Sequence, residues 1–339
     1  FAYTFFSLYP AHYTASLRLH QIAQICAFVL AIFLLLRHEA ALDRLLVALV
    51  AMPVFGPLAS DLAVANFNCF LLLFLALTFR LAQLALTPGG PSVGSKVLYA
   101  VSALTLAAAS ALLKPSLMFV APLLVLAIYA RMKMAGLIAI AIGVLAGIAL
   151  ALVPAWYFDS VGIWLQWKHY FDNGNVDMYS LPFTMGNLSL SALIVRTTGL
   201  PLMVSALALV VSLLVVGIGA VHLTRGSGVA RVKALLLEPA SVVSVAVLLF
   251  FAISPLAWLH YHLLLLVPAL LLVGHRGRVG LCAMAVVLLL STNALSTAMG
   301  LFMPAAPAQA VGFYGTMLAW PLLWFLMLLA YAKPAPQSA

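Results

Sequence analysis

An all-α, polytopic membrane fold is what this sequence predicts, on three observations. Of its 339 residues 66% are hydrophobic and only 7% are charged, with a mean hydropathy of +1.20. The apolar residues fall in runs close to the roughly 20 needed to span a bilayer. The basic residues collect on one side of those runs. A soluble domain of this length needs far more charge to cover its surface. A lipid-solvated chain instead satisfies its backbone within helices and turns apolar side chains outward all round.

Taken in order, the apolar runs lie near 20–37, 45–60, 63–80, 97–113, 116–131, 134–156, 200–223, 236–253, 257–273, 279–298 and 311–332, which makes about eleven transmembrane helices. Several are short. The run 45–60 carries Pro53, Gly56 and Pro57, so it is expected to tilt, bend or stop within the membrane. Pro115 opens the run after Lys114, at a helix start where a missing N–H costs nothing. No repeat of fixed period is present.

Orientation follows from charge. With the loop Arg37 to Arg44 cytoplasmic and the spans alternating, Arg80, Lys96, Arg131, Lys133, Arg225, Arg231, Lys233, Arg276, Arg278 and Lys333 also fall inside, twelve of the 16 basic residues. Arg18, Lys114, Lys168 and Arg196 fall outside. This positive-inside bias accounts for the formal charge of +9, which is therefore no nucleic-acid footprint. Cys26, Cys69 and Cys282 sit in apolar runs without paired spacing, so they are expected to be core thiols rather than disulfides or zinc ligands.

The same sorting puts Asp61, Asn66, Asn68, Lys114, Trp258, His260 and His262 near outer helix ends, with the segment 157–199. Lys114, in ALLKPSLMF, admits two readings: a lysine snorkelling to headgroups, or an anion-binding group on the side that cations avoid. Asn66 and Asn68 read either as caps of the third span or as site residues; at i and i+2 they do not share a helix face. His260 and His262 diverge by about 200 degrees on a helix of about 3.6 residues per turn, and no glutamate accompanies them, which argues against a zinc site. His262 reads as an interfacial anchor beside Trp258 and Tyr261, and His260 as the better functional candidate. Asp172 and Asp177 read as solvated loop charges.

The segment 157–199 lacks a clean span. WLQWKHYFDNG, with Lys168 and His169, has the mix of an interfacial helix. Gly186 and Asn187 then precede a short apolar helix ended by Gly199 and Pro201, read either as an anion or hydroxyl site at a helix N-terminus or as a capped re-entrant segment.

Four motifs in order resemble glycosyltransferase family 87. ANFNCFLLLFLAL is similar to its G-Q-x-N-x-L segment, ALLKPSLMFVAPLL to L-K-P, GNLSLSALI to N-Q-S, and SPLAWLHYHLLLLVPALL to S-P-x-x-W-x-H-x. The order and spacing carry the resemblance, which covers nearly the whole chain; no single motif is specific. Ala65 and Asn66 stand where the family has Gly-Gln, and Leu188 where it has glutamine, departures that bear on sugar identity more than on reaction class.

These relatives are polytopic bacterial enzymes of the GT-C class. The resemblance implies one transmembrane glycosyltransferase domain over 1–339 in the bacterial cytoplasmic membrane. Its reaction would move a hexose, typically mannose, from a polyprenol-phosphate donor to a lipid or glycan acceptor at the outer face, with inversion. Such chemistry needs a carboxylate for the acceptor proton and cationic or hydrogen-bonding groups for the departing phosphate. Lys114 and His260 suit the second task, with Asn66, Asn68, Asn187 and Trp258 as substrate contacts and no metal or cofactor expected. FAYTFFSLYP resembles the family's Y-x-P region, just after the loop that carries the catalytic aspartate. The general base is therefore expected upstream of Phe1, after one further helix, the chain as given is expected to be inactive, and neither Asp61 nor Asp159 is promoted in its place. The alternative class is a multi-span transporter or lipid flippase, disfavoured by the lack of a charge mid-span and of matched halves.

Overall fold

The computed structural model describes residues 13–36, 55–166, 188–199, 237–254, 257–276, 278–291 and 294–332, with a few positions between 204 and 214. Among them the structure is helical, without a strand. The helices are α1 (Tyr13–Leu35), α2 (Gly56–Ala63), α3 (Asn68–Leu86), α4 (Val93–Leu113), α5 (Val120–Tyr157), α6 (Leu190–Thr198), α7 (Pro239–Ile253), α8 (Leu266–Arg276), α9 (Arg278–Leu290), α10 (Ala294–Gly300) and α11 (Ala305–Ala332). A 3₁₀ turn at Pro115–Leu117 precedes α5, and a 3₁₀ helix at Leu259–Leu265 leads into α8. Five stretches are long and apolar enough to cross a membrane: Thr14–Leu35, Asn68–Leu86, Val93–Leu113, Pro115–Tyr157 and Pro307–Ala330. Most of the expected run 200–223 and the loop with Arg37 lie outside the described residues.

The central hairpin is α3 and α4, joined by the turn TPGGPS. Helix α3 stops because Thr87 leaves the helical conformation ahead of Pro88, and α4 starts where the Ser92 hydroxyl accepts the Ser95 N–H at 3.3 Å. Ala100, Ala103, Leu104 and Ala107 recur at helical spacing and are all buried. In lipid there is no hydrophobic drive between helices, so such small residues let backbones approach and gain dispersion contact.

Helix α5 is two limbs. As one rod its 38 residues would reach about 57 Å, roughly twice the hydrocarbon thickness. Lys133, at φ 52° and ψ −119°, breaks it. A Cβ at Gly136 would stand 2.9 Å from the Ile128 carbonyl oxygen, although residues eight apart on a straight helix are about 12 Å apart, so the chain folds back there. The first limb buries Leu124, Ala127 and Ile128; the second leans on α4, where a Cβ on Gly143 would meet Leu104 at 2.8 Å. Most of the second limb faces outward, with Leu145 66% exposed, as a lipid-facing surface requires.

Several expectations are corrected. The third span runs six residues further than 63–80, because Thr87 and Pro88 rather than Arg80 end it. Arg80 thus lies inside α3 and is buried, with its guanidinium on Gln83 and 5.5 Å from the Phe79 ring centroid. Only Cys69 is a core thiol; Cys26 and Cys282 are exposed on the outer faces of α1 and α9. The run 279–298 is broken into α9 and α10.

Candidate functional site

The site forms at the end of the bundle where α2 turns into α3. Val64 to Asn66 close α2 with a Schellman turn: the Asn66 N–H donates to the Asp61 carbonyl at 3.1 Å and the Ala65 N–H to Leu62 at 3.4 Å. Such a turn needs a left-handed residue, and Ala65 fills it at φ 50°. This explains physically why a glycine would suit that position. The turn throws Asn66 to one side, just ahead of Asn68, the first residue of α3.

Asn66 and Asn68 then reach different partners. The Asn66 Oδ1 accepts the Phe67 N–H at 2.7 Å, which fixes its amide so that Nδ2 donates to His260 Nε2 at 2.9 Å. His260 is thereby held as the tautomer whose N–H is on Nδ1. Asn68, fully buried, donates from Nδ2 to Asp61 Oδ1 at 2.6 Å and accepts at Oδ1 from Lys114 Nζ, also at 2.6 Å. Neither side chain caps α3, whose N-cap is Phe67 without a side-chain bond. The argument from helix faces does not apply, because Asn66 precedes the helix.

Lys114 is the residue that leaves α4 before Pro115. Its ammonium lies over the Tyr261 ring, 2.9 Å from the centroid, and 5.8 Å from that of Phe250. The Tyr261 ring also packs edge-on to His260, with centroids 4.8 Å apart. Lys114 and His260, 146 positions apart in sequence, therefore share a side chain and a bracing turn.

Behind them stands a polar layer formed by Asp61 and by three residues of α1 that reading the sequence missed, His20, Gln21 and Gln24. Asp61, fully buried, accepts the Cys69 N–H and Gln24 Nε2, each at 3.1 Å, besides Asn68. Gln24 also donates to the Asn66 carbonyl at 2.6 Å, Gln21 donates to the Leu62 carbonyl at 3.1 Å, and His20 Nε2 lies 3.3 Å from the Asn66 carbonyl. The available signal was HQIAQ, three polar residues at one end of an apolar run. With its oxygens taken by hydrogen-bond donors, Asp61 orients Asn68. Asp159 sits exposed in the turn after α5.

The stretch 188–189 docks against the segment leading to the histidines. The Leu188 N–H donates to the Ala257 carbonyl at 2.6 Å, and the Ser189 hydroxyl to that of Ser254 at 2.7 Å. The head of α6 is thus brought beside the 3₁₀ helix, where Trp258 is the half-buried N-cap. Asn187 lies outside the described residues, as do Lys168 and His169. His262 is corrected: it is wholly buried, with Nδ1 3.2 Å from the Ser291 hydroxyl and its ring edge-on to Phe251, so it is no interfacial anchor. At about 120 degrees per residue, a 3₁₀ helix still points the two histidines apart.

The described residues hold no group of three or more His, Cys, Asp or Glu placed to bind a metal ion. What they offer is an ammonium, an imidazole N–H and two amides at one helix junction. No protein-family model, curated protein or solved structure matches this chain.

Proposed function

We propose that this chain is a bacterial cytoplasmic-membrane glycosyltransferase. It moves a hexose, mannose by its resemblance to glycosyltransferase family 87, from a polyprenol-phosphate donor to a lipid or glycan acceptor at the outer face. The proposal includes a single eleven-span GT-C-like domain with 157–199 facing outward. The observation that supports it best is the convergence of Lys114 and His260 around Tyr261, braced by Asn68 and Asn66. In this reading Lys114 has N–H bonds beyond the one on Asn68, and His260 has Nδ1–H; both point the chemistry toward a departing phosphate. Trp258, Asn66 and, by the resemblance, Asn187 are assigned to the sugar, whereas Asn68, buried with both ends of its amide engaged, acts by holding Lys114, and the prenyl chain lies between helices.

Arg80 favours a second reading. A buried cation inside a membrane-length helix is a common mark of a transport path, so a transporter or flippase of lipid-linked sugar is the alternative. The test is binding of radiolabelled polyprenol-phosphate-mannose to the chain in nanodiscs, followed by a flipping assay in proteoliposomes. Lys114→Ala and His260→Ala are each expected to weaken binding roughly thirtyfold, the loss of one charge-assisted contact of about 2 kcal/mol. His262→Ala is expected to leave it near wild type. Undiminished binding in both site variants sinks the phosphate assignment, and flipping of the labelled donor selects the transporter.

A further inference from the structure

At the far end of the same hairpin lies a cavity of about 390 Å³, within the range of small-molecule pockets. Lys96 and Arg131 line it together with the apolar Leu86, Val93 and Met132. We propose that it binds a phosphate group, supplied in the membrane by the headgroup of an anionic phospholipid.

Three features carry this. The first is charge: two cations and no acid line the cavity, and Glu238, which precedes α7 at this end of the bundle, is not among its lining residues. The carbonyl end of α3 also faces this region, and two of its last four acceptors are engaged. Gln83 takes the Thr87 N–H at 3.0 Å and hydroxyl at 2.6 Å, and Leu86 takes Arg131 Nη1 at 3.4 Å. The second feature is that this last bond anchors the guanidinium at the cavity and leaves most of its fork for an oxyanion.

The third is depth. Asn68 and Leu86 are the two ends of α3, so the cavity sits about 27 Å from the Lys114 cluster, one hydrocarbon thickness away. A phosphate held there is at headgroup level on the opposite face. Its acyl chains would run past the apolar lining residues, of which Val93 is 67% exposed. Basic pockets between helix ends are where anionic headgroups dock. The inference is independent of sugar transfer.

Native mass spectrometry of the detergent-solubilised full chain tests it, with phosphatidylglycerol as probe, phosphatidylcholine as the zwitterionic control and inorganic phosphate as competitor. Phosphatidylglycerol is expected to bind in preference, roughly fivefold more weakly in Lys96→Gln or Arg131→Gln and about thirtyfold in the double variant, at about 1 kcal/mol per cation. Lys96→Arg is expected to keep binding, which separates charge from folding. Competition by millimolar inorganic phosphate at equal affinity assigns the site to free phosphate and overturns the lipid source. Equal binding of both lipids, or unchanged binding in the double variant, overturns the site.

Discussion

Asp61 and Lys114 never touch, yet the structure makes them one electrostatic unit through Asn68. The carboxylate accepts from one end of that amide and the ammonium donates to the other, each at 2.6 Å. Adding the width of the amide puts the charges roughly 7 Å apart, worth about 2 kcal/mol at an effective dielectric near 20. In Asp61→Asn the new amide presents an N–H to one of the groups that now donate to the carboxylate. Either that hydrogen bond is lost or Asn68 flips and turns its own N–H toward the ammonium. The single variant is expected to lose about 2–4 kcal/mol of stability, most of it a charge-assisted hydrogen bond and the uncompensated cation. Lys114→Met removes the cation and keeps the stem. A double-mutant cycle, read by denaturation of the purified chain in one detergent, is expected to give a coupling of about 2 kcal/mol. Additivity within about 0.5 kcal/mol would refute the unit.

Two further predictions follow from backbone and burial. Ala65→Gly removes the left-handed strain at φ 50° and should raise stability by about 0.5–1 kcal/mol net of the glycine's added chain entropy, whereas Ala65→Val should lower it; the reverse order in thermal melts refutes the Schellman closure. A maleimide should label Cys282, exposed near the start of α9, in the native detergent-solubilised protein but reach Cys69 only after denaturation, and early labelling of Cys69, which is wholly buried, contradicts its packing under Asp61.

The helices were legible because lipid makes few demands beyond length and apolarity, and both are written in composition. Their ends were less so. Arg80 looked like a span boundary because a charge usually marks one, but Pro88 ends α3 by geometry and Arg80 is folded in with Gln83 and Phe79. The break at Lys133 was visible as the gap between two runs, and Gly136 supplies the close approach that turns that gap into a hairpin. In the site, Lys114, His260, Asn66 and Asn68 stood out because polar groups are scarce. Gln24 and His20 are equally scarce, yet their roles depend on α1 lying against the α2–α3 turn, a contact no local pattern encodes. His262 was misread because burial of its ring depends on Ser291 and Phe251.

The arrangement around Asn66 and Asn68 also bears on how the proposed phosphate site would be held ready. An ammonium surrounded by aromatic rings loses hydration, and a neutral imidazole is free to rotate; each is a poor anion contact unless its position is fixed beforehand. Here one two-residue spacing fixes both. The Schellman turn sets Asn66, Asn66 sets the tautomer of His260, and Asp61 sets Asn68, which holds Lys114. The bracing groups come from α1, α2 and α3, while the groups they brace come from the α4–α5 junction and the 3₁₀ helix. A ligand that engages both Lys114 and His260 therefore meets groups whose ordering was completed on folding, and loses little of its binding energy to immobilising them.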